Sequence, residues 1–524
     1  MPDTVTRENF NYIFQYLQKE EIVLPKSDFI FEFESHSEFP SMLAISDTLN
    51  LFGVKNAALK VGPSEISDLP DYFLTVLRDG ESHPKYHFIE KIENDYFSIS
   101  EQGKTKISSM ELNTRWLNVA LLAEKNDLLT KPKSKNLFNA FLIALIGICL
   151  SAFLFSSNIK IAAKLFILFP AAGTIFSVIS LKSLFDIRSS IIDRFCNSGE
   201  SMDCEAVTAS SKWKLFKKLN FNTLSIVFFT FQLLAYLLLL LVKQLDSYFS
   251  IQGILLFSSV PLIIASIYYQ KFIVQKWCPT CLAIMATLLF EIGWIFLLDF
   301  GANLTLKTII VHAFIAATTL LIWNTIKKNL AELKKLKESE IKSNKFQRNY
   351  PLFRSALLSQ KKIELPLESI FLGSDNSPLS FLLILSLKCP HCEAAYKVLK
   401  RELNKYESLK IHLILKCDWD NENVDIRKVY TDLLGIYIEE GAYTFTKALD
   451  SWFEMNSSDL WLEKYGFGDS ENRYTDLLRS QYHWCLKTNV VQTPSVYIMG
   501  YRYPNVYDIE NIEFFINDLL EDTL

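Results

Sequence analysis

The sequence predicts a multidomain membrane protein with an N-terminal α+β domain at 1–130, an all-α transmembrane bundle at 131–326 and a C-terminal α/β domain at 351–524. The first observation is the length of 524 residues, which exceeds the usual size of one domain. The second is the composition, because 50% of the residues are hydrophobic and 40 are Phe. The third is a succession of apolar stretches, each roughly as long as the 20 residues that cross about 30 Å of hydrocarbon as a helix.

Six apolar stretches predict six transmembrane spans, at 137–156, 161–186, 222–242, 251–273, 279–299 and 306–326. Buried core helices of a large soluble protein are the alternative, and six stretches in succession argue against it. The charged stretch 327–350 predicts a solvated linker helix. A net charge of −4 does not imply a nucleic-acid partner, and the polar first residues do not resemble a cleavable signal peptide.

The two soluble domains are predicted from shorter patterns. In 1–130, one helix begins after Asp3 or Thr4 and a second ends at Gly53. Alternating strands follow at 55–61, 72–78, 85–92, 95–101 and 116–124. The elements predicted in the C-terminal domain are strands at 380–388, 410–417 and 495–500 and helices at 393–406 and 509–522.

Six of the nine cysteines form three pairs: Cys196 with Cys204, Cys278 with Cys281, and Cys389 with Cys392. The first pair lies in a polar loop, the second opens a membrane span, and the third directly follows a predicted strand. The last two have the C-x-x-C spacing of a redox dithiol. This arrangement predicts a chain that passes electrons along itself. Cys149 is interpreted as inert packing, while the roles of Cys417 and Cys485 stay open.

Cys389 is the predicted attacking thiolate, because the start of a helix stabilises negative charge through the helix dipole and free amides. His391 adds positive character between the two sulfurs. A zinc site is the alternative, but it needs two further ligands at zinc spacing. The available residues lack that spacing, so no metal is predicted; they are His412, Cys417, His483 and Cys485.

The C-terminal domain resembles the thioredoxin superfamily, especially its disulfide-oxidoreductase branch with a helical insertion. The resemblance rests on the order strand, Cys389-Pro-His-Cys392, helix, and on Thr493-Pro494 before a later strand. It implies an insertion within 420–490 and a cis peptide bond at Thr493-Pro494 that faces the dithiol. Cys389 would be the exposed attacking residue and Cys392 the resolving one.

Residues 161–326 resemble the vitamin K epoxide reductase family. The carrying residues are Phe195-Cys196, Asp203-Cys204-Glu205-Ala206-Val207, Ser210 and Trp277-Cys278-Pro-Thr-Cys281. The resemblance implies a four-helix core that holds ubiquinone or menaquinone beside Cys281. It also implies that Cys204 meets the thioredoxin-like domain and that Cys196 attacks Cys278. Ser210 matches a loop residue near the quinone, while Met285 stands where some members carry a tyrosine.

Three further residues in the predicted spans are candidates for function. Gln232 is either a hydrogen-bond donor to the quinone or a partner for another helix. Glu291 and His312 are ionisable, and such groups inside a membrane are functional candidates. They could pair with each other, Glu291 could move protons from the quinone site, or each could lie near an interface or in a polar crevice.

The N-terminal domain resembles the papain-like peptidases that cleave leader peptides in bacteriocin exporters. The resemblance is carried by the run from His36 to Leu49, by Tyr86-His87-Phe88 and by the strand 116–124. His87 falls at the catalytic histidine position. No cysteine precedes Cys149, and a cysteine peptidase cannot work without its thiolate. We therefore expect a peptide-binding module without peptidase activity.

Topology gives two conflicting indications. Six spans place both soluble domains and all three cysteine pairs on one side of the membrane. Disulfide formation belongs in an oxidising compartment, which favours the periplasmic side of a bacterial inner membrane. The positive-inside rule favours the cytoplasm, because lysines and arginines cluster on the same side as the cysteines. The prediction follows the redox chemistry.

The predicted function is a quinone-dependent thiol oxidase that forms disulfides. Electrons would pass from reduced secreted proteins or cysteine-containing leader peptides to Cys389–Cys392, then to Cys196–Cys204, then to Cys278–Cys281 and the membrane quinone pool. One alternative is a non-catalytic peptide-binding component of a leader-peptide export system, although no P-loop motif is present. Another is a reductase that works in the opposite direction.

Overall fold

The computed structural model describes residues 10–78, 84–93, 95–100, 103–125, 141–142, 145, 147, 159–181, 214–215, 219–298, 304–366, 368–466 and 471–522. The chain divides into two compact units. One comprises Met1–Glu34 and Pro40–Ile341, and the other comprises Ser35–Phe39 and Lys342–Leu524.

The N-terminal part is a sheet of six strands with helices, which confirms the predicted sheet domain. The strands are β1 Lys55–Lys60, β2 Tyr72–Leu77, β3 Lys85–Ile92, β4 Asp95–Ser100, β5 Gly103–Ile107 and β6 Trp116–Glu124. Their order is β1-β6-β2-β3-β4-β5, and every neighbouring pair is antiparallel. The helices are α1 Asn11–Lys19, α2 Lys26–Glu34, α3 Met42–Leu51 and α4 Ser109–Arg115.

Helix α1 packs one face against this sheet. Its buried residues Tyr12, Ile13, Tyr16 and Leu17 recur at helical spacing. The Tyr16 hydroxyl accepts a hydrogen bond from the main-chain N–H of Ala123, in strand β6, at 2.6 Å. The apolar face of helix α1 is thus explained by its packing against the sheet, which includes this contact with strand β6.

The middle of the chain is helical and apolar. Its helices are α5 Ile161–Leu165, α6 Leu168–Ser180, α7 Phe221–Leu241, α8 Leu245–Tyr268, α9 Pro279–Leu297 and α10 Leu306–Gln347; a short pair of strands, β7 Lys214–Leu215 and β8 Leu219–Asn220, precedes α7. Within the described residues, five segments are long and apolar enough to cross a membrane. The predicted span 137–156 lies outside the described residues except for four isolated positions.

Large apolar side chains project outward from these helices. Phe290, Phe296 and Leu321 are exposed, whereas the polar Gln232 and Glu291 are buried. This distribution reverses that of a soluble protein and suits a surface covered by lipid. The helical region is therefore a multi-pass membrane domain.

Helix α10 runs without a break from the last predicted span through the predicted linker helix. It contains 42 residues from Leu306 to Gln347. Neither glycine nor proline occurs in this segment, so no residue interrupts the helical hydrogen bonds. The linker is the solvated end of a membrane helix.

The C-terminal part contains a mixed sheet with helices, which agrees with the predicted α/β class. Its strands are β9 Ile370–Gly373, β10 Leu379–Leu385, β11 Leu409–Leu415, β12 Ser495–Ile498 and β13 Tyr501–Arg502, in the order β13-β12-β10-β11-β9. Only β10 and β11 are parallel, and all seven residues of β10 are buried. A central strand covered on both faces explains the continuous apolar run in its sequence.

Helices surround this sheet and fill the predicted insertion. They are α11 Tyr350–Leu358, α12 Cys392–Lys405, α13 Val424–Glu440, α14 Ala442–Met455, α15 Ser458–Tyr465, α16 Glu471–Lys487 and α17 Ile516–Glu521. Helices α13 to α16 lie between β11 and β12 in the chain. Helix α12 connects the parallel strands β10 and β11, as such a connection requires.

Candidate functional site

Cys278 and Cys281 occupy the start of helix α9. Cys278 is the N-cap residue, and Pro279 is the first helical residue. Proline suits this position because its ring fixes φ and it has no N–H that would lack a partner. The Cys278 sulfur accepts a hydrogen bond from the main-chain N–H of Cys281 at 3.3 Å and lies 3.1 Å from the Thr280 hydroxyl. The helix start thus holds both cysteines within one turn.

The Gln270 side chain hydrogen-bonds to the backbone where this turn begins. It lies in a π-helical segment, Tyr269–Val274, that follows α8. Its side-chain oxygen accepts a hydrogen bond from the Cys278 main-chain N–H at 2.8 Å, and its nitrogen donates to Ser266 at 3.2 Å. Such π-helical turns are frequent at functional sites. Gln270 was not predicted from the sequence, although a polar residue near the end of an apolar span is a signal that could have identified it.

An apolar cavity of about 260 Å³ adjoins Cys281. Its walls come from α7, α8 and α9, and they are Leu224, Ser225, Phe228, Phe229, Leu255, Ser258, Ser259, Leu262, Ile263, Ser266, Cys281, Ile284, Met285 and Leu288. Cys278 is not a wall residue and is 0% exposed, whereas Cys281 is 7% exposed. Cys281 is therefore the sulfur that a molecule in the cavity would meet.

The other residues predicted near the quinone take different places. Met285 lines the cavity, but Gln232 does not. The Gln232 side-chain nitrogen donates to the Glu291 carboxylate at 3.0 Å. Of the two roles predicted for Gln232, a donor to the quinone or a partner for another helix, the structure shows the second. Glu291 and His312 do not pair with each other, because Nδ1 of His312 bonds to the Thr308 carbonyl oxygen at 2.8 Å and its Nε2 has no partner among the described residues.

Three predicted site residues lie outside the described residues. They are Cys196, Cys204 and Ser210. Their proposed roles in the relay and beside the quinone stay predictions.

The second dithiol lies between strand β10 and helix α12. Helix α12 begins at Cys392, one residue before the predicted start at 393. Cys389 therefore lies in the turn three residues before the helix and not at the helix start, where it was predicted. The Cys392 main-chain N–H donates to the Cys389 carbonyl oxygen at 3.1 Å, which closes the turn. The Cys389 sulfur lies 3.1 Å from the carbonyl oxygen of Thr493, and the Thr493-Pro494 peptide bond is cis, as predicted.

The two sulfurs of this pair differ in their ionisation. Burial opposes ionisation of Cys389. Hydrogen bonds from the side chains of Cys392 and Thr493 and from the main-chain N–H groups of His391 and Cys392 outweigh burial and lower the pKa of the Cys389 thiol. Burial raises the pKa of Cys392 to about 12. Cys389 is half-buried and Cys392 is fully buried. Cys389 thus has both the exposure and the thiolate character of an attacking residue.

The helical insertion holds the turn that precedes Cys389. The Tyr430 hydroxyl, from α13, accepts from the Leu387 main-chain N–H at 2.8 Å and lies 3.2 Å from the Ser386 hydroxyl. The Trp452 indole, from α14, donates to the Leu387 carbonyl oxygen at 3.1 Å. Both side chains are buried. The dithiol is therefore positioned by the insertion as well as by the sheet.

Cys417 and Cys485 are buried single thiols in this unit. Burial raises the pKa of Cys417 to about 12 and that of Cys485 to about 11, so both stay protonated at neutral pH. Within the described residues, no group of three or more His, Cys, Asp or Glu side chains could hold a metal ion.

His87 lies in the N-terminal sheet, on strand β3. It is buried, and its Nδ1 lies 2.8 Å from the Ser98 hydroxyl on the neighbouring strand β4. The chain supplies no cysteine before Cys149 for it to activate.

A dithiol at a membrane helix start beside an apolar cavity, and a second dithiol on a mixed sheet, define a membrane thiol–disulfide oxidoreductase. The family comparison agrees with this class. Residues 138–296 match the model of the Vitamin K epoxide reductase family, which confirms the predicted resemblance for this part of the chain. A search of curated proteins finds no match.

Solved structures that resemble the two soluble parts were also found. A periplasmic thioredoxin-like protein from Salmonella enterica serovar Typhimurium is 15% identical, with a TM-score of 0.26, 33% of this chain covered and 97% of that chain. Oxidised BdbD from Bacillus subtilis is 16% identical, with a TM-score of 0.26 and coverages of 31% and 98%. The peptidase domain of Streptococcus ComA is 13% identical, with a TM-score of 0.21 and coverages of 24% and 97%. Identities and TM-scores of this size do not define a function.

Proposed function

We propose that this protein is a membrane thiol oxidase that forms disulfide bonds in secreted proteins or peptides and delivers the electrons to quinone. The observation that carries the proposal is the position of Cys281. Its side chain lines an apolar cavity at the start of a membrane helix, while its partner Cys278 is covered. A dithiol placed in this way suits a lipid-soluble oxidant, since such a molecule can enter the cavity from the membrane.

The cavity walls fit a quinone of either the ubiquinone or the menaquinone type. Phe228 and Phe229 offer aromatic faces to a flat ring, and aliphatic side chains form most of the remaining surface. Ser258, Ser259 and Ser266 supply hydroxyl groups near this surface. A bound quinone would take up the electron pair of the Cys278–Cys281 dithiol and become quinol.

The proposed relay consists of thiol–disulfide exchanges. A substrate thiolate attacks the Cys389 sulfur and displaces the Cys392 thiolate, and the second substrate thiolate then displaces Cys389 to complete the substrate disulfide. The reduced pair next reduces the Cys196–Cys204 disulfide, with Cys204 as the sulfur attacked. Cys196 then attacks Cys278. Each exchange moves one electron pair, so one substrate disulfide is formed for each quinol.

The test is quinone reduction by the full-length protein in lipid vesicles, with a short-chain quinone and dithiothreitol as electron donor. Cys278→Ala and Cys281→Ala should each abolish quinol formation. Cys485→Ala is the matched control, because it removes a buried thiol that is not part of the proposed relay, and it should leave the rate unchanged. Full turnover by Cys281→Ala would exclude the proposed site.

The loop cysteines are tested in the same assay by a double variant, Cys196→Ser with Cys204→Ser. It should still oxidise dithiothreitol, which is small enough to reach the membrane dithiol. It should not oxidise a reduced protein substrate. Oxidation of the protein at the normal rate would contradict the relay.

The N-terminal domain is proposed to bind leader peptides without cleaving them. The support is a buried His87 held by Ser98 in a sheet domain that lacks a cysteine nucleophile. A bound peptide would be held near the redox sites at a raised effective concentration. The proposal includes a location in a bacterial inner membrane with the cysteines on the periplasmic side, because disulfide formation belongs in an oxidising compartment. Specific cleavage of a leader peptide by the full chain, detected by mass spectrometry, would contradict the binding role.

A further inference from the structure

A cluster of polar side chains is buried among the membrane helices. Its members are Gln232 on α7, Tyr248 and Gln252 on α8, Glu291 on α9 and His312 on α10, and they are at most 4% exposed. We refer to these five residues as the polar cluster. Such groups are costly to place inside a membrane, so their presence calls for a function or a specific partner.

The polar cluster adjoins the cavity beside Cys281. Three of its members each lie three residues from a cavity wall residue: Gln232 from Phe229, Gln252 from Leu255, and Glu291 from Leu288. Residues three apart on a helix project from the same side, less than one turn apart. Because Glu291 comes ten residues after Cys281 in the same helix, it lies about 15 Å further along the axis. The cluster is therefore at the end of the cavity away from the dithiol.

The cluster has more hydrogen-bonding groups than protein partners. The Gln232–Glu291 bond satisfies one atom of each residue. Six side-chain atoms have no partner within the described part of the chain: Oε1 of Gln232, the Tyr248 hydroxyl, both polar atoms of Gln252, Oε1 of Glu291 and Nε2 of His312. Buried polar groups are almost always paired with protein or with ordered water. Donors and acceptors gathered in one place provide the two to four partners that a buried water needs.

Glu291 carries the only carboxyl group of the polar cluster. The other titratable groups around it are Tyr236 on α7, Tyr248 on α8 and His312 on α10, while the described residues of α6 include none. A carboxylic acid gives up a proton more readily than a phenol. The Tyr236 hydroxyl already donates to the Ala163 carbonyl oxygen at 2.9 Å. The ring of Tyr248 stacks on that of His312, with 6.3 Å between centroids.

We propose that the polar cluster holds water and that Glu291 exchanges a proton through this water with a quinone in the cavity, an inference that rests on the proposed function. Formation of the Cys278–Cys281 disulfide releases two electrons and two protons, and conversion of quinone to quinol consumes two of each. Glu291 supplies the proton for the oxygen far from the dithiol and becomes a carboxylate. It regains a proton from water. Of the two thiol protons, one passes to the quinone oxygen near the dithiol and the other is released to water, so two protons leave the dithiol, two enter the quinol, and no net proton is gained or lost.

The experiment compares Glu291→Gln, Glu291→Asp and the control Ser177→Ala in full-length protein in lipid vesicles with a short-chain quinone. Ser177 is a buried residue of α6 whose hydroxyl bonds within its own helix, to the Gly173 carbonyl oxygen. Glutamine can still accept the bond from Gln232 but cannot give up a proton. Glu291→Gln should lower kcat about 100-fold, the typical contribution of a positioned acid, with KM unchanged. Glu291→Asp should recover part of the rate, and Ser177→Ala should behave as the wild type.

Infrared difference spectroscopy gives a second readout that does not depend on turnover. The carbonyl band of a protonated carboxyl group should shift when the wild-type protein is transferred from H2O to D2O, because Glu291 exchanges its proton with water. That change should be missing in Glu291→Gln and present in Ser177→Ala. An identical difference spectrum in wild type and Glu291→Gln would overturn the proposal.

The outcomes separate this proposal from the proposed function. If the wild type reduces quinone and Glu291→Gln does so at the same kcat, only the role of Glu291 is wrong. If the wild type does not reduce quinone, the proposed function and this inference both fail. Oxidation of Cys278 and Cys281 by a small aromatic disulfide checks that Glu291→Gln is folded. If Glu291→Gln is not folded, Gln252→Leu is tested in its place. A normal kcat of Gln252→Leu would overturn the proposal.

Discussion

The two C-x-x-C motifs share their spacing and a proline directly after the first cysteine. The helix that follows nevertheless begins at a different residue of each motif. Pro279 is the first residue of its helix, so Cys278 becomes the N-cap and its sulfur accepts the Cys281 N–H. After Cys389 the helix begins only at Cys392. Cys278 is thus buried, while Cys389 is half-exposed and can be reached by a protein partner.

The lowered pKa of Cys389 gives a prediction for pH dependence. In the reduced protein, alkylation of Cys389 by iodoacetamide should have its midpoint below the value of about 8.5 for an ordinary thiol. Cys392, with a pKa of about 12, should remain unreactive at neutral pH. Because the folded pKa of Cys389 lies below the unfolded one, its thiolate stabilises the reduced fold above the unfolded pKa, and this contribution is lost as pH falls through the folded pKa.

The measurement is alkylation followed by mass spectrometry over a pH series, with Cys389→Ser as control. In Cys389→Ser, the alkylation that the wild-type protein shows below the ordinary thiol pKa should be missing. A Cys389 midpoint at or above the ordinary thiol value would show that its hydrogen bonds do not overcome the cost of burial.

Gln270 is predicted to position the membrane dithiol. Gln270→Leu removes the acceptor of the Cys278 main-chain N–H and leaves that buried group unpaired, at a cost of about 1–3 kcal/mol. We expect a lower melting temperature in detergent and slower quinone reduction. Gln275→Ala, at the exposed residue that directly follows the π-helical segment, should change neither. Equal melting temperatures for Gln270→Leu and wild type would show that the bond does not contribute.

The chemistry-bearing residues were more predictable than those that position them. The C-x-x-C spacing follows from the chemistry of dithiols, and the cis Thr493-Pro494 bond was implied by the resemblance to the thioredoxin superfamily. Gln270 could not be predicted in the same way, because its role depends on a π-helical turn that shifts its side chain towards Cys278. The partner of Gln232 also required the structure, since the spacing alone allowed two partners.

Elements with a strong apolar pattern were predictable, and weakly patterned ones were not. The strand predicted at 380–388 corresponds to β10, Leu379–Leu385, whose side chains are all buried. Helix α2, Lys26–Glu34, was not predicted because its sequence KSDFIFEFE alternates like a strand. Strand β5, Gly103–Ile107, is polar and mostly exposed, and only its pairing with β4 defines it.

Helix α13 and the start of the dithiol turn form one structural unit through Tyr430. Tyr430→Phe removes a buried hydroxyl that accepts the Leu387 N–H at 2.8 Å and lies 3.2 Å from Ser386. The expected loss in the free energy of unfolding is about 1–3 kcal/mol, because those groups lose their partner. The reactivity of Cys389 should also change, since Leu387 lies two residues before it.

The matched control is Tyr443→Phe on α14, where the tyrosine is 73% exposed. It should alter the free energy of unfolding by no more than about 0.5 kcal/mol. Chemical denaturation of the two variants gives the comparison. An equal effect of both substitutions would mean that the buried hydroxyl does not hold the turn.

For the whole molecule, sidedness connects the fold to the proposed chemistry. A thiol oxidase needs an oxidising compartment for its dithiols, while the charge pattern around the spans favours the opposite orientation. The lysines concerned include Lys212, Lys214, Lys217, Lys218, Lys327 and Lys328. Two predicted spans separate Cys281 from Cys389 in the sequence, so one labelling site reports on both dithiols.

Cys389 itself is the reporter for that question, because it is half-exposed and has a lowered pKa. Intact cells that contain the full chain are treated with a mild reductant and a membrane-impermeant maleimide, and the peptide with Cys389 is then analysed by mass spectrometry. We expect labelling of Cys389 before the cells are permeabilised, since the proposed function places it outside the cytoplasm. The buried Cys485 should react only after denaturation, which checks that the fold is intact. Labelling of Cys389 only after permeabilisation would place the dithiols in the cytoplasm, where reduced thiols prevail, and would exclude disulfide formation in secreted substrates.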